Sequence, residues 1–143
     1  MSKSNTLENS ILALLFNATT FADIAENDTT TPATNLYVSL HTADPGEAGA
    51  MNTNEATYTS YARVAVIRTA GGWTVATNTL TNAAAIIFPE CTGGSESITH
   101  FGVGLGASGA TVLLYSGALT APLAVSTGIQ PQFAAGDLDI TED

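Results

Sequence analysis

A chain of 143 residues is the size of one domain and can bury about 70% of the surface it exposes unfolded, so it needs neither disulfides nor a metal to hold it together. Thirteen carboxylates stand against Lys3, Arg63 and Arg68, a net charge of −10; without clustered cations to neutralise phosphates, nucleic acid is excluded as an expected partner. Only 11% of residues are charged while 45% are apolar, so the surface must consist largely of Thr, Ser, Asn, Gly and Ala, which suits a member of an assembly.

Residues 5–16 read as the one helix. Asn5 is placed to cap it, Glu8 sits at the third helical position, and Leu7, Ile11, Leu14 and Leu15 form an apolar stripe that needs an apolar partner, a candidate contact with another subunit or another protein of an assembly. Asn17 and Thr19 cut the apolar run before any cleavage site, and no stretch approaches a membrane span. Residues 17–34 are rich in Thr, Asn and Ala and contain Pro32, the composition of an irregular arm. The expected division is therefore helix and arm over 1–34 and a β domain over 35–143, one compact unit overall.

From Asn35 onward, short runs of β-branched and aromatic residues alternate with Gly, Pro, Asn and Asp. Strands are predicted near 35–42, 61–69, 72–77, 83–88, 97–105, 110–117, 122–127 and 137–141. About eight strands suggest an all-β, jelly-roll-like β-sandwich. In the first strand Leu36, Val38 and Leu40 share one face, and Asp44-Pro45-Gly46 then has turn chemistry, so the strand ends in a corner. His41 falls on the opposite face with Tyr37 and Ser39, where a hydrogen bond that fixes the corner is its expected role. Asp44 is placed to accept hydrogen bonds from the turn backbone. The polar loop 43–60 is long enough to be functional or mobile.

Arg63 lies in an apolar run of a protein with three cations, so it should have a dedicated carboxylate or carbonyl partner in a structural ion pair. Trp73 follows two glycines and reads as core, the alternative being a surface that stacks on sugar. Gly102, Gly104 and Gly106 recur at period two, which implies close sheet packing, a subunit contact or a bend. Gly104–Gly109 matches GxGxxG, but a β run rather than a helix follows, so a hairpin turn is the reading and no nucleotide is expected. His41 and His100 have no Cys or carboxylate at ligand spacing, the carboxylates lack the spacing of a calcium loop, and no nucleophile is placed. No catalytic site, no cofactor and no metal is expected. Cys91 is alone and reads as a buried apolar residue.

The strand and corner Asn35–Gly46, taken with Tyr61-Ala62-Arg63-Val64, resembles a family of tailed-bacteriophage virion proteins variously described as tail fibre or capsid decoration proteins. The similarity continues, in order, through Leu14-Leu15-Phe16, the link to Phe21, Leu36 to Gly49, Asn82 to Phe88, Ile98 to Gly102 and Gly117-Ala118-Leu119-Thr120. It implies a structural virion protein made in the host cytoplasm, not an enzyme. The chain has no long shaft repeat, which favours a capsid decoration (cement) protein that binds the outside of the major capsid protein lattice, as a homotrimer, and stabilises the head. The alternative is a tail fibre or tail-tip adhesin that binds host glycan, which requires an exposed Trp73.

Overall fold

The computed structural model describes residues 5–20 and 33–142, without side-chain detail for 5–7. Lys3, most of the predicted arm and the side chain of Leu7 lie outside the described residues. The chain is all-β with an N-terminal helix, α1 (Asn5–Asn17), followed among the described residues by nine strands: β1 (Asn35–His41), β2 (Val64–Ile67), β3 (Trp73–Ala76), β4 (Thr79–Asn82), β5 (Ile86–Ile87), β6 (Ser95–Gly104), β7 (Leu113–Ser126), β8 (Gln132–Phe133) and β9 (Asp139–Thr141). They form a four-stranded sheet in the order β2-β1-β6-β7, a three-stranded sheet β3-β4-β9 and a two-stranded sheet of β5 and β8.

The compact units differ from the expected division at residue 34. Of the described residues, one unit combines those up to 35 with 67–86 and 133–142; the other combines 36–66 and 87–132. The helix therefore belongs with β3, β4 and β9 instead of standing apart from the β domain. Its fully buried face is Glu8, Leu12 and Phe16, while Ile11, Leu14 and Leu15 of the predicted stripe are only half-buried. Phe16 meets the ring of Trp73 edge-on, with centroids 5.0 Å apart. Arg68 closes the other end of the helix by donating to the carbonyls of Leu14 and Leu15, which satisfies acceptors that a helix C-terminus leaves unpaired and places a cation at the negative end of its dipole. Asn82 ties β4 to the last strand: its amide donates to the Ala84 and Ala134 carbonyls, and its oxygen accepts from Leu138 N–H.

In the second unit β1 is an interior strand, paired with β6 from Tyr37↔Gly104 to His41↔His100. Pairing on both edges leaves a strand's faces undecided, but Val38 to His41 are all buried, so residues of both faces are covered. The expectation that His41 lies opposite the core is thereby corrected, because both faces of this strand are core. Two further predictions about strands change. The separate runs 110–117 and 122–127 are one strand, β7, and Pro122 is accommodated because β7 is an edge strand with no ladder bond required on its outer side. The register steps from Ile98↔Leu123 to His100↔Ala118, so Leu119–Pro122 bulge opposite Thr99. The predicted strand 83–88 gives way to β4 and the short β5. Ala76 pairs with Thr79 across the two-residue turn Thr77-Asn78, where Thr77 takes a left-handed conformation, φ 56°; a β-branched residue there is a poor sequence signal for such a turn.

Candidate functional site

The end of β1 organises the second unit. His41 is fully buried. Its Nδ1 lies 2.8 Å from the Thr53 carbonyl and its Nε2 lies 2.8 Å from Ser39 Oγ. A carbonyl only accepts, so Nδ1 carries the proton and Nε2 accepts from the serine hydroxyl. The backbone continues the same tie: Thr42 N–H donates to Asn54 O and Ala56 N–H to Leu40 O. The long loop is held at further points by bridges Ala50↔Val112 and Thr59↔Gly93, with Met51, Ala56 and Tyr58 buried. A loop expected from its length to be functional or mobile is thus pinned along its course.

The period-two glycines make room for this cluster. A Cβ on Gly102 would sit 2.6 Å from His41 Nε2 and 2.7 Å from Ser39 Oγ, and one on Gly104 would overlap Met51 and the Val112 carbonyl. Close packing within the chain is what they provide. Gly102→Ala is expected to lower stability by about 1–3 kcal/mol through overpacking. Gly71→Ala, where the new methyl meets only Thr69 Oγ1 at 3.5 Å, should change it far less; chemical denaturation of the two variants makes the comparison.

Burial lowers the pKa of His41 from its ordinary 6.5, against the opposing pull of the Thr53 carbonyl and Glu55; Arg63 and His100 lower it further. The folded state thus binds the proton less readily than the unfolded one, so stability is full above about pH 6.5 and falls as pH drops towards the folded value. Urea midpoints measured from pH 7.5 to 5 should decline more steeply for the native chain than for His41→Gln. Equal slopes would mean that His41 does not contribute to the acid sensitivity.

The predicted corner follows. Asp44 Oδ1 accepts from Gly46 N–H at 2.8 Å, an Asx turn, and Gly46 takes φ 72°, a value that glycine adopts without strain. Asn54 Nδ2 donates to the Asp44 carbonyl at 3.0 Å and joins the corner to the returning loop.

Arg63, just before β2, is the most heavily bonded side chain on this side of the unit. Nε and Nη2 donate to the two oxygens of Glu55 at 2.6 and 2.7 Å, Nη1 to Gly106 O and Thr111 Oγ1 at 2.9 and 3.1 Å, and Nη2 also to Gly109 O at 2.8 Å. All five guanidinium N–H groups are used. The side chain is 1% exposed and that of Glu55 15%. Hydrogen bonding to Glu55 raises the Arg63 pKa against the effect of burial. Tyr61 OH donates to Glu55 Oε1 at 2.9 Å and accepts from Leu40 N–H at 3.1 Å; burial first, with Glu55 adding to it, pushes the phenol pKa well above its ordinary range. One ion pair therefore joins β1, the loop and the β6–β7 hairpin.

That hairpin contains the GxGxxG match, and its polarity is opposite to a phosphate cradle. Carbonyls of Gly106 and Gly109, residues with φ of 90° and 78°, point at a cation, and Arg63 fills the seat. Phosphate binding needs inward N–H groups.

Sequence reasoning singled out His41, Asp44 and Arg63; the structure brings them into adjoining networks but also uses residues that it passed over. Glu55 stands eight positions before Arg63, a spacing with no periodic signal. Glu96 accepts from the N–H groups of Thr57 and Tyr58, both at 3.0 Å, across a gap of nearly forty residues. His100 is half-buried, with Nδ1 2.8 Å from Thr99 Oγ1, and lines an open groove with Asp44, Glu47 and Leu113–Ala118. Trp73 is fully buried, as is Cys91. Among the described residues no three Cys, His or carboxylate side chains gather as a metal site, and no helix is long and apolar enough to cross a membrane.

The family model described as Podophage GP4 fiber I protein gp80 matches residues 2–141. No curated protein matches the chain. The match covers nearly the whole sequence, and the chain belongs to this family. It is accordingly a structural component of a tailed-phage virion.

Proposed function

We propose that this fibre-family protein is a non-enzymatic packing subunit of a virion fibre, working through protein–protein contacts instead of glycan capture or DNA binding. The single observation that supports this most is that, among the described residues, the tryptophan, both arginines and His41 are engaged within the chain. Trp73 is sealed in a core, Arg63 has no free donor, Arg68 is bonded to α1, and both ring nitrogens of His41 are occupied. What the surface offers is hydroxyls, methyls, backbone and carboxylates, the material of a protein contact with few charges to desolvate.

A second reading is the capsid decoration protein, a homotrimer on the major capsid protein lattice. The absence of any shaft repeat in the sequence favours it, and a closed trimer would repeat each contact at threefold positions of a shell. Electron microscopy of virions carrying a tagged copy separates the two. Density confined to the tail or collar region is the result expected for a fibre subunit; density spread over the head lattice, with purified subunits raising the melting temperature of expanded shells, would establish decoration instead. Saturable binding to host glycan by the isolated protein would overturn both.

A further inference from the structure

We infer that the outer edge of β7, beside the carboxylates of Asp44 and Glu47, receives an extended strand of another virion protein that carries lysine or arginine. The inference rests on the packing-subunit reading and names the partner's chemistry. β7 runs for fourteen residues at the edge of its sheet without one charged side chain. Among the described residues, β6 supplies the strand's only ladder, and no other backbone bond reaches Ser116–Ala124. Tyr115 has interactions of its own, and the inference does not depend on it. Edges are ordinarily blunted with Lys, Pro or inward charges because unpaired N–H and C=O groups template a further strand. Here Pro122 and its bulge interrupt the distal part and a second register shift at Leu114 interrupts the start, leaving 115–118 in unbroken register with β6.

An open groove of about 550 Å³ runs along that part. Side chains alternate across a strand, so lining by the consecutive residues Tyr115–Ala118 means that the groove meets more than one face of β7. Asp44, Gly46 and Glu47 line it as well, together with His100 of β6, and both carboxylate residues are exposed. An added strand would gain main-chain hydrogen bonds from the edge and find two anions beside it. A second copy fits poorly. The chain has a net charge of −10 and no Lys or Arg after Arg68, and pairing two copies at this edge would bring their acidic walls together.

Two capped ten-residue peptides test this, one alternating valine with lysine and threonine, the other with glutamate in place of lysine. Hydrogen exchange of the full chain should slow at least tenfold with the lysine peptide at those amides among 115–118 that point away from β6, which are alternate residues of the strand, and stay unchanged with the glutamate peptide. The protection should weaken severalfold in 0.5 M salt and in the double variant Asp44→Asn, Glu47→Gln. In that variant the amide oxygen at position 44 still accepts the turn bond, so its melting should be native-like. Equal protection by both peptides, or by neither, overturns the inference. So does protection already present without peptide that disappears on dilution, which would assign the edge to a second copy. Localisation of the protein to head or tail does not alter these outcomes, so failure here is distinct from failure of the fibre reading.

Discussion

Replacing Arg63 by alanine is expected to lower stability by about 3–5 kcal/mol, the range for removing one member of a buried ion pair. For a chain of this size that is a fall in Tm on the order of 10 °C. The size follows from what is left behind. Glu55, 15% exposed, would be left with Tyr61 OH as its side-chain donor among the described residues, and the carbonyls of Gly106 and Gly109 would lose the donors they face. Arg63→Lys should recover little, because an ammonium has three donors and cannot reproduce a planar fork that meets both carboxylate oxygens and the hairpin at once. Lys3→Ala serves as the comparison and should leave the melt unchanged within about 0.5 kcal/mol. Equal, small shifts for Arg63→Ala and Lys3→Ala in thermal melting would contradict the role assigned to the pair.

Trp73→Ala should be comparably severe, about 3–5 kcal/mol, through the cavity left beside Phe16. The indole is fully buried and its N–H has no hydrogen-bond partner among the described residues. Its contribution is therefore packing alone, and Trp73→Phe should retain much of it. The functional consequence is specific. A tryptophan in the core can affect host attachment only through the fraction of folded protein, so attachment per folded molecule should be unchanged in Trp73→Phe. Loss of attachment at full folded fraction would show that the ring contacts a receptor, and the packing-subunit reading would then fail.

The sequence by itself determined the fold class, because a switch from 3.6-residue to two-residue apolar period is a local property, visible at Leu36, Val38 and Leu40 without knowledge of any partner. It determined the corner at Asp44-Pro45-Gly46, since an Asx turn is closed within three residues. It also determined that Arg63 required a partner, because a cation among apolar residues cannot be left unpaired when desolvated. Only the tertiary structure decided that the partner is Glu55, with Gly106, Gly109 and Thr111 completing the set. These residues are brought together by chain reversals whose geometry no spacing encodes. The same holds for His41: its alternation with Leu40 indicates an outer face, but the returning loop, with Met51 on Ser39 and Thr53 on the imidazole, covers that face and makes the imidazole core. The run 110–127 reads as two strands, 110–117 and 122–127; that Pro122 instead sits within one strand depends on its place at a sheet edge, where the missing N–H has no ladder bond to make, and that place is set by neighbours far away in sequence. Grouping of α1 with β3, β4 and β9 was likewise hidden, since an amphipathic stripe specifies that a helix must be covered and says nothing of which residues cover it.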